Sequence, residues 1–98
     1  MDKKYFAVTL NPSRPDFAQT MTDKERLIMQ EHGAYWREYM SKGKVIVFGP
    51  VLDPNAVYGL GVLAVDDEQE VKDFIAGDPA NKINRYKYYP MLAVVAEK

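Results

Sequence analysis

The chain carries one histidine, His32, and no cysteine. An imidazole titrates near neutral pH and works as a general base when a carboxylate orients it, so His32 is the first candidate for chemistry. Asp78, immediately before Pro79, is the second. Each has a plainer reading: a histidine on a core-facing helix stripe often only hydrogen-bonds a neighbour, and an aspartate before proline often only forms a turn. The two readings separate on whether these side chains meet beside an open cleft. Tyr35, Trp36 and Tyr39, with Tyr86, Tyr88 and Tyr89, are able to line a pocket for a planar ligand, or to fill a core and an interface. Gly49-Pro50 either brings backbone close to a ligand or ends a strand, and turn chemistry favours the second. Arg26 is either a cation for an anionic substrate or a solvated side chain on an early helix turn.

The elements that must position these residues follow from local pattern. Tyr5 to Leu10 is rich in aromatic and β-branched residues and reads as a strand that stops at Asn11-Pro12. Pro12 to Thr20 reads as a loop. Thr22-Asp23-Lys24-Glu25 is a capping box, so a helix begins near Asp23, with Leu27, Ile28, His32, Tyr35, Trp36 and Tyr39 on one broad apolar arc. Lys42-Gly43 ends it, and Val45 to Phe48 is a short strand stopped by Gly49-Pro50. Tyr58 to Val65 is a strand that is apolar on both alternating faces. Asp66, with Gln69 three residues on, caps a second helix bearing Val71, Phe74 and Ile75 and closing at Gly77. A last strand spans Tyr86 to Ala96. Gly33, inside the first helix, costs about 1 kcal/mol relative to alanine and has no account at this level.

The order is βαββαβ in a single domain over residues 1–98, an α+β class chain. It predicts a ferredoxin-like sandwich, a four-stranded antiparallel sheet with two helices on one face. Tyr58, Leu60, Val62 and Ala64 share one side of the third strand, and Gly59, Gly61, Leu63 and Val65 share the other. Two helices cover only one of these sides. Pairing of two sheets would cover the other, so a homodimer through the sheet face is expected.

Composition narrows the function classes. Thirteen Lys and Arg against fourteen Asp and Glu give a net charge of −1, without the positive field that nucleic-acid binding needs. The segment Gly59 to Val65 has the glycine spacing of an RNA-recognition strand, but Leu60 and Val62 stand where stacking rings are required, and Tyr58 replaces the basic residue. Neither nucleic acid nor a membrane is an expected partner, since no apolar run is long enough to span a bilayer. The lack of cysteine removes thiolate zinc sites and disulfides, and suits a cytoplasmic protein. No metal and no organic cofactor is expected.

Read in order, His32, Gly43, Gly49-Pro50, the Tyr58 to Val65 strand, a helix and Asp78-Pro79 resemble the YCII-related family over roughly Tyr5 to Val95. The resemblance implies a dimeric α+β barrel with a His and Asp pair as active site, carried here by His32 and Asp78. Members often place an arginine three residues before the histidine, where this chain has Met29. A dehydrochlorinase acting on a chlorinated hydroxyhydroquinone belongs to the family, and muconolactone isomerases and cofactor-free monooxygenases share the wider architecture. The expectation is thus a lyase or isomerase acting on a small cyclic or aromatic metabolite held between the first helix and the sheet. Trp36, Tyr35, Gly49, Pro50 and Arg26 would contact the ligand. The alternative is a non-catalytic binding or assembly module in which His32 and Asp78 form a structural hydrogen bond.

Overall fold

The computed structural model describes residues 3–96. Four antiparallel strands, β1 (Lys4–Pro12), β2 (Val45–Val51), β3 (Tyr58–Val65) and β4 (Asn84–Met91), lie in the order β2-β3-β1-β4. Between them come α1 (Phe17–Thr20), α2 (Asp23–Ser41), α3 (Glu68–Gly77) and a 3-10 turn over Pro79–Lys82. This α+β arrangement is compatible with the ferredoxin-like order, with three helices in place of the two expected. The additional one, α1, occupies the segment read as a loop, and its Phe17 is buried.

The core lies between one sheet face and the helices. Antiparallel register puts Phe6 opposite Leu63 and Val8 opposite Gly61, and alternation turns Phe6, Val8, Leu10, Leu63 and Val65 to that side. Trp36 of α2 and Val71 and Phe74 of α3 close over them. Gly61 is what lets the Trp36 ring rest on the strand. A Cβ there would sit 2.7 Å from Trp36 Cη2, closer still to Cζ3, and 3.3 Å from Phe48 Cβ. Gly61→Ala should therefore lose about 1–3 kcal/mol, read as a lower urea midpoint with unchanged m-value. Nothing stands within 4 Å of a Cβ at Gly33, and packing gives no reason for that glycine.

Helix α2 begins where its capping box places it. Thr22 Oγ1 accepts from the Glu25 amide at 3.1 Å, and the Thr22 amide donates to Glu25 Oε1 at 2.9 Å. Arg14 also grips Glu25 with both guanidinium arms, at 2.8 and 3.1 Å. With the bond from Arg14 as the main cause and the Thr22 amide next, the Glu25 carboxyl is held down at about 2. A depressed carboxyl stabilises the fold above its unfolded value and ceases to do so as pH falls through the folded one. The thermal stability of wild type relative to Glu25→Gln should be constant above about pH 5 and shrink steadily toward pH 2.

Several boundaries differ from expectation, each for a tertiary reason. β2 continues through Gly49 and Pro50 to Val51, pairing Gly49 with Leu60 and Pro50 with Gly59. It is an edge strand with a single neighbour, where a proline without an amide is tolerated. β4 stops at Met91 instead of Ala96, because Met91 pairs with Tyr5 and β1 begins only one residue earlier. The cap of α3 is Asp67, accepting from the Glu70 amide at 3.0 Å, while Asp66 pairs with Lys3 at 2.9 Å. Leu27 is 56% exposed. It lies about 180° around the helix from Trp36 at 100° per residue, so the buried arc is rotated toward Met29, which packs against the core.

The second sheet face remains uncovered, with Val47 at 56% and Tyr89 at 65% exposure beside Leu60 and Met91. No helix among the described residues is long and apolar enough to cross a membrane.

Candidate functional site

The site is assembled by α2 and by the junction after α3. Gly77 closes α3 and Pro79 opens the 3-10 turn, so Asp78 between them takes an extended backbone, φ −72° and ψ 125°, as a residue before proline prefers. Its carboxylate caps the turn, accepting from the Ala80 amide at 3.0 Å. It also accepts from the Trp36 indole Nε1–H at 2.6 Å, and His32 Nδ1 lies 3.0 Å from each of its oxygens. Burial by itself would push Asp78 up. The hydrogen bonds from His32, Trp36 and the Ala80 amide outweigh burial and hold it below the usual carboxylate range.

An ionised carboxylate only accepts, so the neutral imidazole must carry its proton on Nδ1 and donate it to Asp78. Nε2 is left as a base with no hydrogen-bond partner among the described residues. The Asp78 side chain is fully buried, whereas His32 keeps 13% of its side chain exposed at the margin of a cavity of about 530 Å³.

That cavity runs between α2, the α1 segment and the sheet. Trp36, Gly49 and Pro50 line it together with His32. Tyr35 and Arg26 do not. Tyr35 is about 100° away from Trp36 around the helix, on the flank facing α3, where its hydroxyl donates to the Phe74 carbonyl at 2.8 Å. Arg26 is exposed and pairs with Asp23 at 3.3 Å. On the other flank, Met29 and Trp36 are separated by only about 20°, and Met29 is part of the wall. Pro12, Phe17, Gln19 and Met21 also line it, which gives the segment read as a loop a definite task. Asn84 completes the rim, its amide donating to the Ala80 carbonyl at 3.2 Å.

The Tyr86 hydroxyl is buried without a hydrogen-bond partner among the described residues. Burial first, and then the nearby Asp78 charge, push this phenol up, so it remains protonated. The described residues contain no group of three or more His, Cys, Asp or Glu side chains arranged to hold a metal ion.

A model of the YCII-related domain matches residues 5–94. The chain belongs to the YCII-related family. No curated protein matches it. In this YCII-related chain, the position three before the histidine is Met29, a wall of the cavity, and no arginine replaces it elsewhere in the lining among the described residues. The α1 residues do not announce themselves as site residues in sequence, and Met29 stands out only as the residue where family members often carry an arginine. Met29 also shares a helix face with His32 at a spacing of three, which is a second signal for that position.

Proposed function

We propose that this YCII-related protein is a cofactor-independent lyase or isomerase, acting on a small cyclic or aromatic metabolite in the cytoplasm as a homodimer. The observation that carries the reading is His32 Nδ1 at 3.0 Å from both oxygens of a buried Asp78, with the same ring bordering an apolar cavity. Nε2 takes a proton from a weakly acidic C–H or O–H of the bound ring, and Asp78 stabilises the imidazolium that forms. In isomerisation the proton returns to a different atom of the ligand. In elimination the C–H electron pair becomes a new double bond while the leaving group departs with its own bonding pair. Trp36 and the Ala80 amide keep Asp78 from rotating away from His32. The cavity volume falls within the range of small-molecule sites.

The alternative, a binding or assembly module, draws on one observation: Asp78 ties α2, α3 and the 3-10 turn together, as a purely structural carboxylate would. A thermal-shift screen of cyclic hydroxylated compounds and lactones against wild type and His32→Ala separates the two. Compounds that stabilise only the wild type, and are then converted by it, support the enzyme. A variant with a lower melting temperature and no ligand dependence in either protein supports the module. Pairing through the uncovered sheet face, with its exposed Val47, Leu60, Tyr89 and Met91, is tested by sedimentation, where a monomer at micromolar concentration argues against it.

A further inference from the structure

We propose that the cavity selects an uncharged ring and that Met29 is the residue that sets this selectivity. The inference rests on the cavity being the ligand site and adds the class of ligand. Among the described residues, no lysine or arginine lines the cavity. The polar residues of its lining are Gln19, His32, Tyr58 and Asn84, and the rest of the wall is apolar, with Leu10, Phe17, Met29, Trp36 and Phe48 prominent. Arg14 and Arg26 are committed elsewhere. Arg14 is clamped on Glu25, with its guanidinium 5.0 Å from the Phe17 ring, and Arg26 pairs with Asp23. Lys82, Arg85 and Lys87 line a neighbouring depression that shares only Pro12 and Asn84 with the cavity, and none of the three lines the cavity itself.

Among the described residues, the one fixed charge at this site is negative. Asp78 is ionised behind His32, so when the imidazole is neutral, as a base must be, the pair carries a full negative charge. A carboxylate on the ligand would lose its water in an apolar wall, meet charge of its own sign, and find no cation. A methyl group or halogen on the same ring atom would meet Met29, Phe17 or Phe48 at no such cost.

Met29 is placed to decide the matter. It lies on the flank of α2 that carries Trp36, and its sulfur is 3.9 Å from Asn84 Nδ2, across the cavity rim. An arginine at this position would bring a guanidinium to the wall beside His32, able to pair with a carboxylate in two hydrogen bonds. A thioether offers dispersion and shape adaptation only.

The test compares 4-methylphenol with 4-hydroxybenzoate, which differ in a methyl against a carboxylate on an otherwise identical ring. Binding is read at pH 7 from the indole N–H resonance of Trp36, the only tryptophan, which lines the cavity and donates to Asp78. In the intact protein, 4-methylphenol should shift that resonance saturably, and 4-hydroxybenzoate should need at least about tenfold more to do the same. Met29→Arg should erase or invert the ratio, and Met29→Lys, measured beside it, should do so to a smaller extent. Equal or tighter binding of 4-hydroxybenzoate to the wild type overturns the proposal, as does a ratio unchanged in a folded Met29→Arg. A resonance moved by neither compound also overturns it. If neither variant folds, the wild-type ratio decides. Proton transfer by His32 is not read in this assay, so its failure would be seen elsewhere, in the loss of His32-dependent conversion.

Discussion

Replacing His32 with alanine should lower turnover of a true substrate by about 10²–10⁴-fold, the usual contribution of a positioned general base. The fold should survive. The ring sits at the cavity margin, and its removal leaves Asp78 still accepting from the Trp36 indole and the Ala80 amide. A convenient measurement is deuterium incorporation from D₂O into a compound that the screen identifies, followed by mass spectrometry. Free imidazole should restore part of the rate, because the vacated space borders the cavity and the Asp78 carboxylate remains to orient an added ring. Equal exchange by wild type and variant would remove the catalytic assignment. A lower melting temperature with unchanged exchange would favour the structural role.

Asp78→Ala should have the largest effect on stability. One carboxylate satisfies three donors, the His32 imidazole, the Trp36 indole and the Ala80 amide, and the indole side chain is completely buried. Each buried donor left without an acceptor costs about 1–3 kcal/mol. Partial relaxation of the turn gives an expected loss of about 3–5 kcal/mol, a large part of the 5–15 kcal/mol typical of a domain. Urea denaturation measures it directly. A loss below about 1 kcal/mol would mean that the three bonds are not held together in solution.

Asp78→Asn should fall between the two, keeping an acceptor oxygen but no charge. The pH dependence has a defined sign. Because the native-state carboxyl lies below its ordinary value, the contribution of Asp78 is complete above about pH 4 and disappears as acid protonates the native state. The gap between wild type and Asp78→Asn should be flat near neutrality and close in acid.

Much of this architecture could be read from local pattern, because the signals were local. The capping box at Thr22 and Glu25 needs only neighbouring residues, and it set the helix start. Tyr58 to Val65 needed no context either, since its unbroken apolar run reads as a strand, and it forms β3 with those bounds. Gly49-Pro50 was misread as a terminator because tolerance of a proline depends on whether the strand is at an edge. That property belongs to the sheet order and not to the dipeptide.

The site was legible in part. The sequence presented one histidine and an aspartate before a proline, a family resemblance implied that they pair, and the fold brings them within 3.0 Å. Tyr35 falls on the flank of α2 that faces α3, a matter of helix rotation that a broad apolar arc does not resolve, and Arg26 is exposed and paired with Asp23. The cavity walls from Pro12 to Met21 come from a segment without periodicity, and their role exists only once the chain has folded over the sheet. Trp36 was expected as a ring against a ligand. Its indole N–H as a holder of Asp78 could only be seen in three dimensions.

Proton transfer at this site requires His32 to present an unprotonated Nε2 to the cavity while Asp78 accepts the hydrogen bond from Nδ1–H. Nitrogen-15 NMR of the protein labelled at histidine reads this from a single residue, without overlap. In its neutral form the ring should show Nδ1 protonated and Nε2 bare, and filling the cavity with 4-methylphenol should move the Nε2 resonance more than that of Nδ1. A proton found on Nε2 instead, with Nδ1 bare, would leave no base facing the ligand and would contradict the mechanism.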